Sequence, residues 1–212
     1  MSFDQRRFSA GAIDAGRPAT PHASLERLLA GNERFASDRA ISPHSTARRI
    51  ELAAGQSPFA IVLGCSDSRV PVETVFDQPP GSIFVVRIAG NFVEENGLGS
   101  IEFSVAALKS SLILVLGHSN CGAVTAAVDY VRDGAEQPGH IQTLVRAVEP
   151  SARAARSQTG DWLHNATLRN VRDSMAALAS RSKIVADAVA SGSLAISGGI
   201  YDLHSGTVTI IT

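Results

Sequence analysis

Two short stretches hold the residue types that could do chemistry. Gly64-Cys65-Ser66-Asp67-Ser68-Arg69 ends one apolar run, and Gly117-His118-Ser119-Asn120-Cys121-Gly122 ends another. The second stretch admits two unrelated readings. Gly117-His118-Ser119 could be a turn that presents a serine nucleophile, or His118 and Cys121 could be two ligands of one metal ion. A serine elbow needs glycine two residues after the serine, because the strained turn leaves no room there for a side chain; here that position is Cys121. It also needs an acid and then a histidine downstream, where only His140, His164 and His204 stand. The metal reading fares better. Cys121 falls where a strand should turn into a helix, so helix N-terminal N–H groups would favour its thiolate. Cys65 adds a third soft donor, and Cys₂His is a zinc set that leaves a fourth position open for catalysis. A lone cysteine is more often a small buried hydrophobe, and a lone histidine an ordinary polar group. The joint occurrence of Cys65, His118 and Cys121, with Asp67 and Arg69 beside the first, is what lifts the metal reading.

The elements around these residues must bring them together. Residues 57–64, 81–90 and 111–117 are short, continuous and β-branched, and read as buried strands. Leu98 to Lys109 reads as a largely buried helix, and a helix follows Cys121. Leu25, Leu28, Leu29 and Phe35 have helical spacing, with Ser24 as N-cap, and a short helix is expected after Pro43. Residues 141–157 and 162–190 carry helical periodicity. "LAISGGIYD" and "TVTIIT" flank a tight turn at the C-terminus. The expected class is α/β: a mainly parallel central sheet flanked by helices, with an antiparallel C-terminal edge strand and an N-terminal helical arm. Ligands gather at the carboxyl ends of such strands, where both polar stretches and a third, Arg87-Ile88-Ala89-Gly90-Asn91, fall. The expected organisation is a loose segment over residues 1–20 and a single catalytic domain over 21–212.

Composition narrows the function classes. The chain has 212 residues, enough for a sizeable core. With 44% hydrophobic and 18% charged residues it has a globular balance. The net charge of −1 and the lack of a long basic run argue against nucleic acid as a partner. No apolar run approaches the ~20 residues of a membrane helix. Arg6-Arg7-Phe8 is not followed by an apolar region, since Asp14 and Arg17 interrupt it, so an export signal is not expected. The expected location is the cytoplasm, where two cysteines serve as ligands, nucleophiles or core residues rather than as a disulfide.

"CSDSRVP" (Cys65–Pro71), "VRIAGN" (Val86–Asn91) and "GHSNCGAV" (Gly117–Val124), in this order, resemble the β-class carbonic anhydrases. "LERLLAGNERF" (Leu25–Phe35) and "ISGGIYDLHSGTV" (Ile196–Val208) are similar to the N-terminal helix and last strand pair of bacterial members. The likeness runs from about residue 22 to the end.

The resemblance implies zinc held by Cys65, His118 and Cys121, with no other cofactor, and reversible hydration of CO2 to bicarbonate and a proton by attack of zinc-bound hydroxide. Asp67 and Arg69 would be the family's dyad: held by Arg69, Asp67 stays ionised and orients the hydroxide, and released from it, Asp67 becomes a possible fourth ligand in a closed state. Two thiolates donate more charge than three imidazoles, so activity should rise into alkaline pH. The family also implies a homodimer or homotetramer, with the N-terminal helix embracing the partner. A non-catalytic bicarbonate site in some members uses a tryptophan, an arginine and a tyrosine; Arg87 and Tyr201 match, but Val62 replaces the tryptophan, which argues against the site and leaves Arg87 a structural role. The same scaffold could instead hydrolyse carbonyl sulfide or carbon disulfide, or serve as a non-catalytic zinc-binding or redox-sensing module. His22, His44, His140, His164 and His204 are expected to be surface groups.

Overall fold

The computed structural model describes residues 16–42 and 45–211. Most of the loose segment expected over residues 1–20 lies outside them, as do Pro43 and His44. The core is a five-stranded sheet of β1 (Ala60–Gly64), β2 (Ile83–Arg87), β3 (Leu112–His118), β4 (Ala195–Tyr201) and β5 (Val208–Ile211), in the order β2-β1-β3-β4-β5. All neighbours are parallel except β4 and β5, which pair antiparallel at the edge. The helices are α1 (Pro21–Ala36), α2 (Thr46–Leu52), α3 (Val72–Val75), α4 (Glu95–Ala106), α5 (Gly122–Asp133), α6 (Ile141–Ala155), α7 (Trp162–Arg181) and α8 (Lys183–Ala190).

The strands are apolar on both faces because helices cover both. Ala60, Val62, Leu112, Leu114 and Leu116 pack with Leu28 of α1 and with Val72 and Val75 of α3. The alternate residues Ile61, Leu63, Ile113 and Val115 pack with α4, α7 and α8 through Ile101, Val171 and Val185. After β1 the chain crosses to β2 on one side, then back past β1 to β3. The strand order therefore switches direction between β1 and β3, and the carboxyl ends of strands at such a point are where ligands bind in open parallel sheets.

Local chemistry sets the helix boundaries and corrects three expectations. Helix α1 starts earlier than its apolar spacing predicts, because Thr20 caps it through Ala23 N and Pro21 takes the first turn. Ser24 is instead buried inside that helix and shares a hydrogen bond with Ser111. Helix α4 begins at Glu95 rather than Leu98, since the Glu94 carboxylate accepts from the N–H groups of Asn96 and Gly97. The periodicity over 162–190 divides into two helices at Ser182, whose hydroxyl caps α8 through Val185 N at 3.1 Å. Among the described residues no helix is long and apolar enough to cross a membrane.

Candidate metal centre

Cys65 is the first residue beyond β1, His118 the last of β3, and Cys121 the N-cap of α5. Because β1 and β3 pair directly, in register from Ala60↔Leu112 to Gly64↔Leu116, their ends lie side by side. One possible ligand atom from each of Cys65, His118 and Cys121 lies within 4.8 Å of the others. The two Sγ atoms are 4.0 Å apart. All three side chains are buried, His118 completely.

The imidazole is prepared for a ligand. His118 Nδ1 lies 2.9 Å from the carbonyl oxygen of Ser119. A carbonyl can only accept, so Nδ1 carries the proton and Nε2 keeps its lone pair. Among the described residues that buried Nε2 has no hydrogen-bond partner, a costly state for a polar atom unless something else binds it. The two thiols act on each other across the 4.0 Å between their sulfurs. A hydrogen bond from Cys121 draws Cys65 down to about 4, against the opposing effect of burial and with help from His118 and the Gly90 N–H. Cys121 is pushed far up by the same bond, by burial and by the charge on Cys65, although the N–H groups of Ala123 and Val124 oppose this. The pair thus shares one proton. A dication among two sulfurs and one nitrogen would replace that proton and occupy the unpartnered nitrogen. Two thiolates and an imidazole with an open fourth position suit zinc.

Asp67 and Arg69 flank this cluster. Arg69 grips both carboxylate oxygens, Nε to Oδ1 at 2.9 Å and Nη2 to Oδ2 at 2.7 Å, and its backbone N–H adds a third bond to Oδ1. This bidentate hold keeps the Asp67 carboxyl well below the usual range, against a smaller opposing effect of burial. Asp67 Oδ2 remains 3.8 Å from His118 Nε2. The carboxylate therefore borders the ligand cluster while turned toward the arginine.

Arg87 ends β2 opposite Gly64 and clamps the Cys65–Asp67 segment, donating from Nε to Cys65 O at 2.9 Å and from Nη2 to Asp67 O at 2.6 Å. Its structural role is thus more specific than closing a strand. The sequence singled out this arginine through the Val86–Asn91 motif and gave it a structural role, but nothing there pointed to the two carbonyls it holds. Val62 is fully buried in β1, and Tyr201 is buried in β4 beside His118. The Ser119 hydroxyl accepts from Leu203 N at 2.9 Å, and its backbone N–H donates to Tyr201 O. That serine stitches the β4–β5 connection to β3, which leaves no place for it as a nucleophile. His22, His140, His164 and His204 are exposed.

Residues 60–208 match the family model described as carbonic anhydrase. The chain is 41% identical over 191 residues to carbonic anhydrase 2 of Mycobacterium tuberculosis, covering 90% of this chain and 92% of that protein. It is 38% identical over 193 residues to the carbonic anhydrase of Mycolicibacterium smegmatis, covering 91% and 94%. Among solved structures, the Coccomyxa β-carbonic anhydrase in complex with acetazolamide superposes with a TM-score of 0.69 at 29% identity, covering 88% of this chain and 86% of that one. A tetrameric β-carbonic anhydrase of Sordaria macrospora gives 0.70 at 26%, covering 89% and 96%.

Proposed function

Because this chain belongs to the β class of the carbonic anhydrase family, a family of carbonate dehydratases, we propose that it hydrates CO2 to bicarbonate on a zinc ion held by Cys65, His118 and Cys121. The observation that carries this reading is the buried cluster of two thiols and one imidazole, its Nε2 unpartnered, with the Asp67–Arg69 pair at its edge. When bound, the metal supplies a nucleophile from water at moderate pH.

The chain's own residues do the rest. Arg69 keeps Asp67 ionised, so its carboxylate can only accept hydrogen bonds. Placed beside the cluster, it accepts one from the attacking group and turns that group's lone pair toward the carbon of CO2. Arg87 fixes the carbonyls on either side of Ser66, which holds Cys65 and Asp67 at a constant separation. The reaction takes up one water, forms one C–O bond and releases one proton to solvent. The thiolates of Cys65 and Cys121 would donate more charge to the metal than imidazoles would, and activity should therefore climb toward alkaline pH. The Sordaria relatives are described as tetrameric, and a homo-oligomer, dimer or tetramer, is the assembly proposed for this chain. Residues 21–212 are taken as its single catalytic unit.

Stopped-flow CO2 hydration with a pH indicator tests the reading, on zinc-loaded protein and on Cys65→Ser, at about pH 7 and about pH 9. Fast turnover, greater at the higher pH and lost in the variant, is expected. No turnover with one zinc bound per chain would overturn it. Carbonyl sulfide and carbon disulfide would then be tried as substrates, and a non-catalytic zinc module would follow if they also failed.

A further inference from the structure

Beyond the ligands and the dyad, one contact to the ligand sulfurs comes from a distant backbone turn. The Gly90 N–H points at Cys65 Sγ, at 3.4 Å. Gly90 and Asn91 both have positive φ, 86° and 41°, and Asn91 N closes the turn on Ile88 O at 2.9 Å. Two successive left-handed residues, one of them not glycine, persist only when their surroundings hold them. A side chain at Gly90 would meet Val148 Cγ2 at 3.1 Å and Ala123 Cβ at 3.2 Å, so α5 and α6 press on the turn from one side.

Helix α7 holds it from the other side. Asn170 is buried, and its Nδ2 donates to Gly90 O at 2.7 Å across 80 residues of sequence. One helical turn later Ser174 Oγ donates to Asn91 O at 3.3 Å. The two side chains face the same way because residues i and i+4 share a helix face. Asn170 therefore fixes the residue whose N–H reaches the sulfur, whereas Ser174 fixes only the residue after it.

We infer that Asn170 is a positioning residue of the metal centre: it acts through Gly90 to hold an N–H on the Cys65 sulfur. The inference rests on the zinc reading above. Hydrogen bonds to a ligating group orient it and tune its donor strength. Without the Asn170 amide, the Gly90 carbonyl is buried with one partner fewer and the turn can relax away from Cys65.

The test compares Asn170→Ala with Ser174→Ala, which loosens the same turn without touching Gly90. Each protein is loaded with Co2+ for its thiolate-to-metal charge-transfer band, and with Zn2+ for its release rate to a chromogenic chelator. Asn170→Ala should shift the band and speed zinc release about ten- to a hundredfold, while Ser174→Ala leaves both near the wild type. If Asn170→Ala does not fold, Asn170→Ser is read in the same way. A wild-type band and release rate in the Asn170 variant would overturn the inference, as would equal changes in both variants, which would assign the effect to the whole turn. Failure of the wild-type protein to bind either metal would instead overturn the zinc reading and this inference with it.

Discussion

At the scale of single residues, the centre depends on where Asp67 points. Its carboxylate borders the cluster, yet both oxygens are taken by Arg69. A lysine in place of Arg69 would keep a positive charge but lose the planar fork. If orientation rather than charge is what Arg69 provides, Arg69→Lys and Arg69→Met should both lower kcat/KM for CO2 hydration by at least about tenfold. Zinc content, measured in parallel, should stay at the wild-type level. Wild-type activity in Arg69→Lys would show that a nearby positive charge is sufficient. The donors Cys65, His118 and Cys121 were legible as a candidate set from type and spacing, whereas the pairing of Asp67 with Arg69 came from the family resemblance. The contacts of Arg87 and of the Gly90 N–H were not legible, because one acts on backbone carbonyls and the other is itself backbone.

At the scale of elements, the site exists because β1 and β3 are neighbours and α7 closes over the end of β3. Gly117, next to His118, is where that closure is tightest. A methyl group there would lie 2.7 Å from Val171 Cγ2 of α7 and 3.0 Å from Ile200 Cδ1 of β4. Valine cannot swing aside as a long side chain could, so the helix or the strand must shift. Gly117→Ala is expected to cost about 1–3 kcal/mol of stability, measured by urea unfolding. An unchanged unfolding midpoint would mean that α7 has room to move. The parallel strands followed from short continuous apolar runs and the longer helices from periodicity, but the four-residue α3 was not anticipated and the boundaries did not follow. Glu94, Thr20 and Ser182 decide them as caps, and a polar residue becomes a cap only when the chain before it turns away from the helix axis.

At the scale of the whole molecule, α1 ties distant parts of the chain together. Asn32 donates to Val75 O and Gly206 O and accepts from Val208 N, joining residues up to 176 positions apart. Arg34 pairs with Asp77 at 2.6 Å, and the Asp77 carboxylate also accepts from Ile41 N and Ser42 N. Burial by itself would raise the Asp77 pKa, but Arg34 and these two N–H groups outweigh it and hold it below the usual carboxylate value. A carboxylate lowered by folding contributes stability above its unfolded pKa, ~3.9 for aspartate, and loses it as pH falls through the folded value. Asp77→Asn should therefore destabilise the protein by about 2–4 kcal/mol near neutral pH, since it leaves Arg34 without its charge partner. The gap to the wild type should narrow as the pH drops below about 4. Thermal unfolding of both proteins across that range checks the sign; a gap that widened in acid would contradict it.

From residue order and type alone, the sheet layout and the set of donors that could meet at its edge were legible. Apolar runs long enough only for strands, alternating with helical patterns, imply a parallel sheet, and such a sheet collects polar residues at its strand ends. The soft donors Cys65, His118 and Cys121 stood at those ends. How the donors are held emerged from the packed fold. The free Nε2 of His118, the grip of Arg69 on Asp67, the clamp of Arg87 and the reach of Asn170 to Gly90 are contacts among groups far apart in the chain or carried by the backbone. Periodicity and spacing report which face a residue occupies, but a hydrogen bond across the fold depends on how the layers pack, and that is set by the whole core at once.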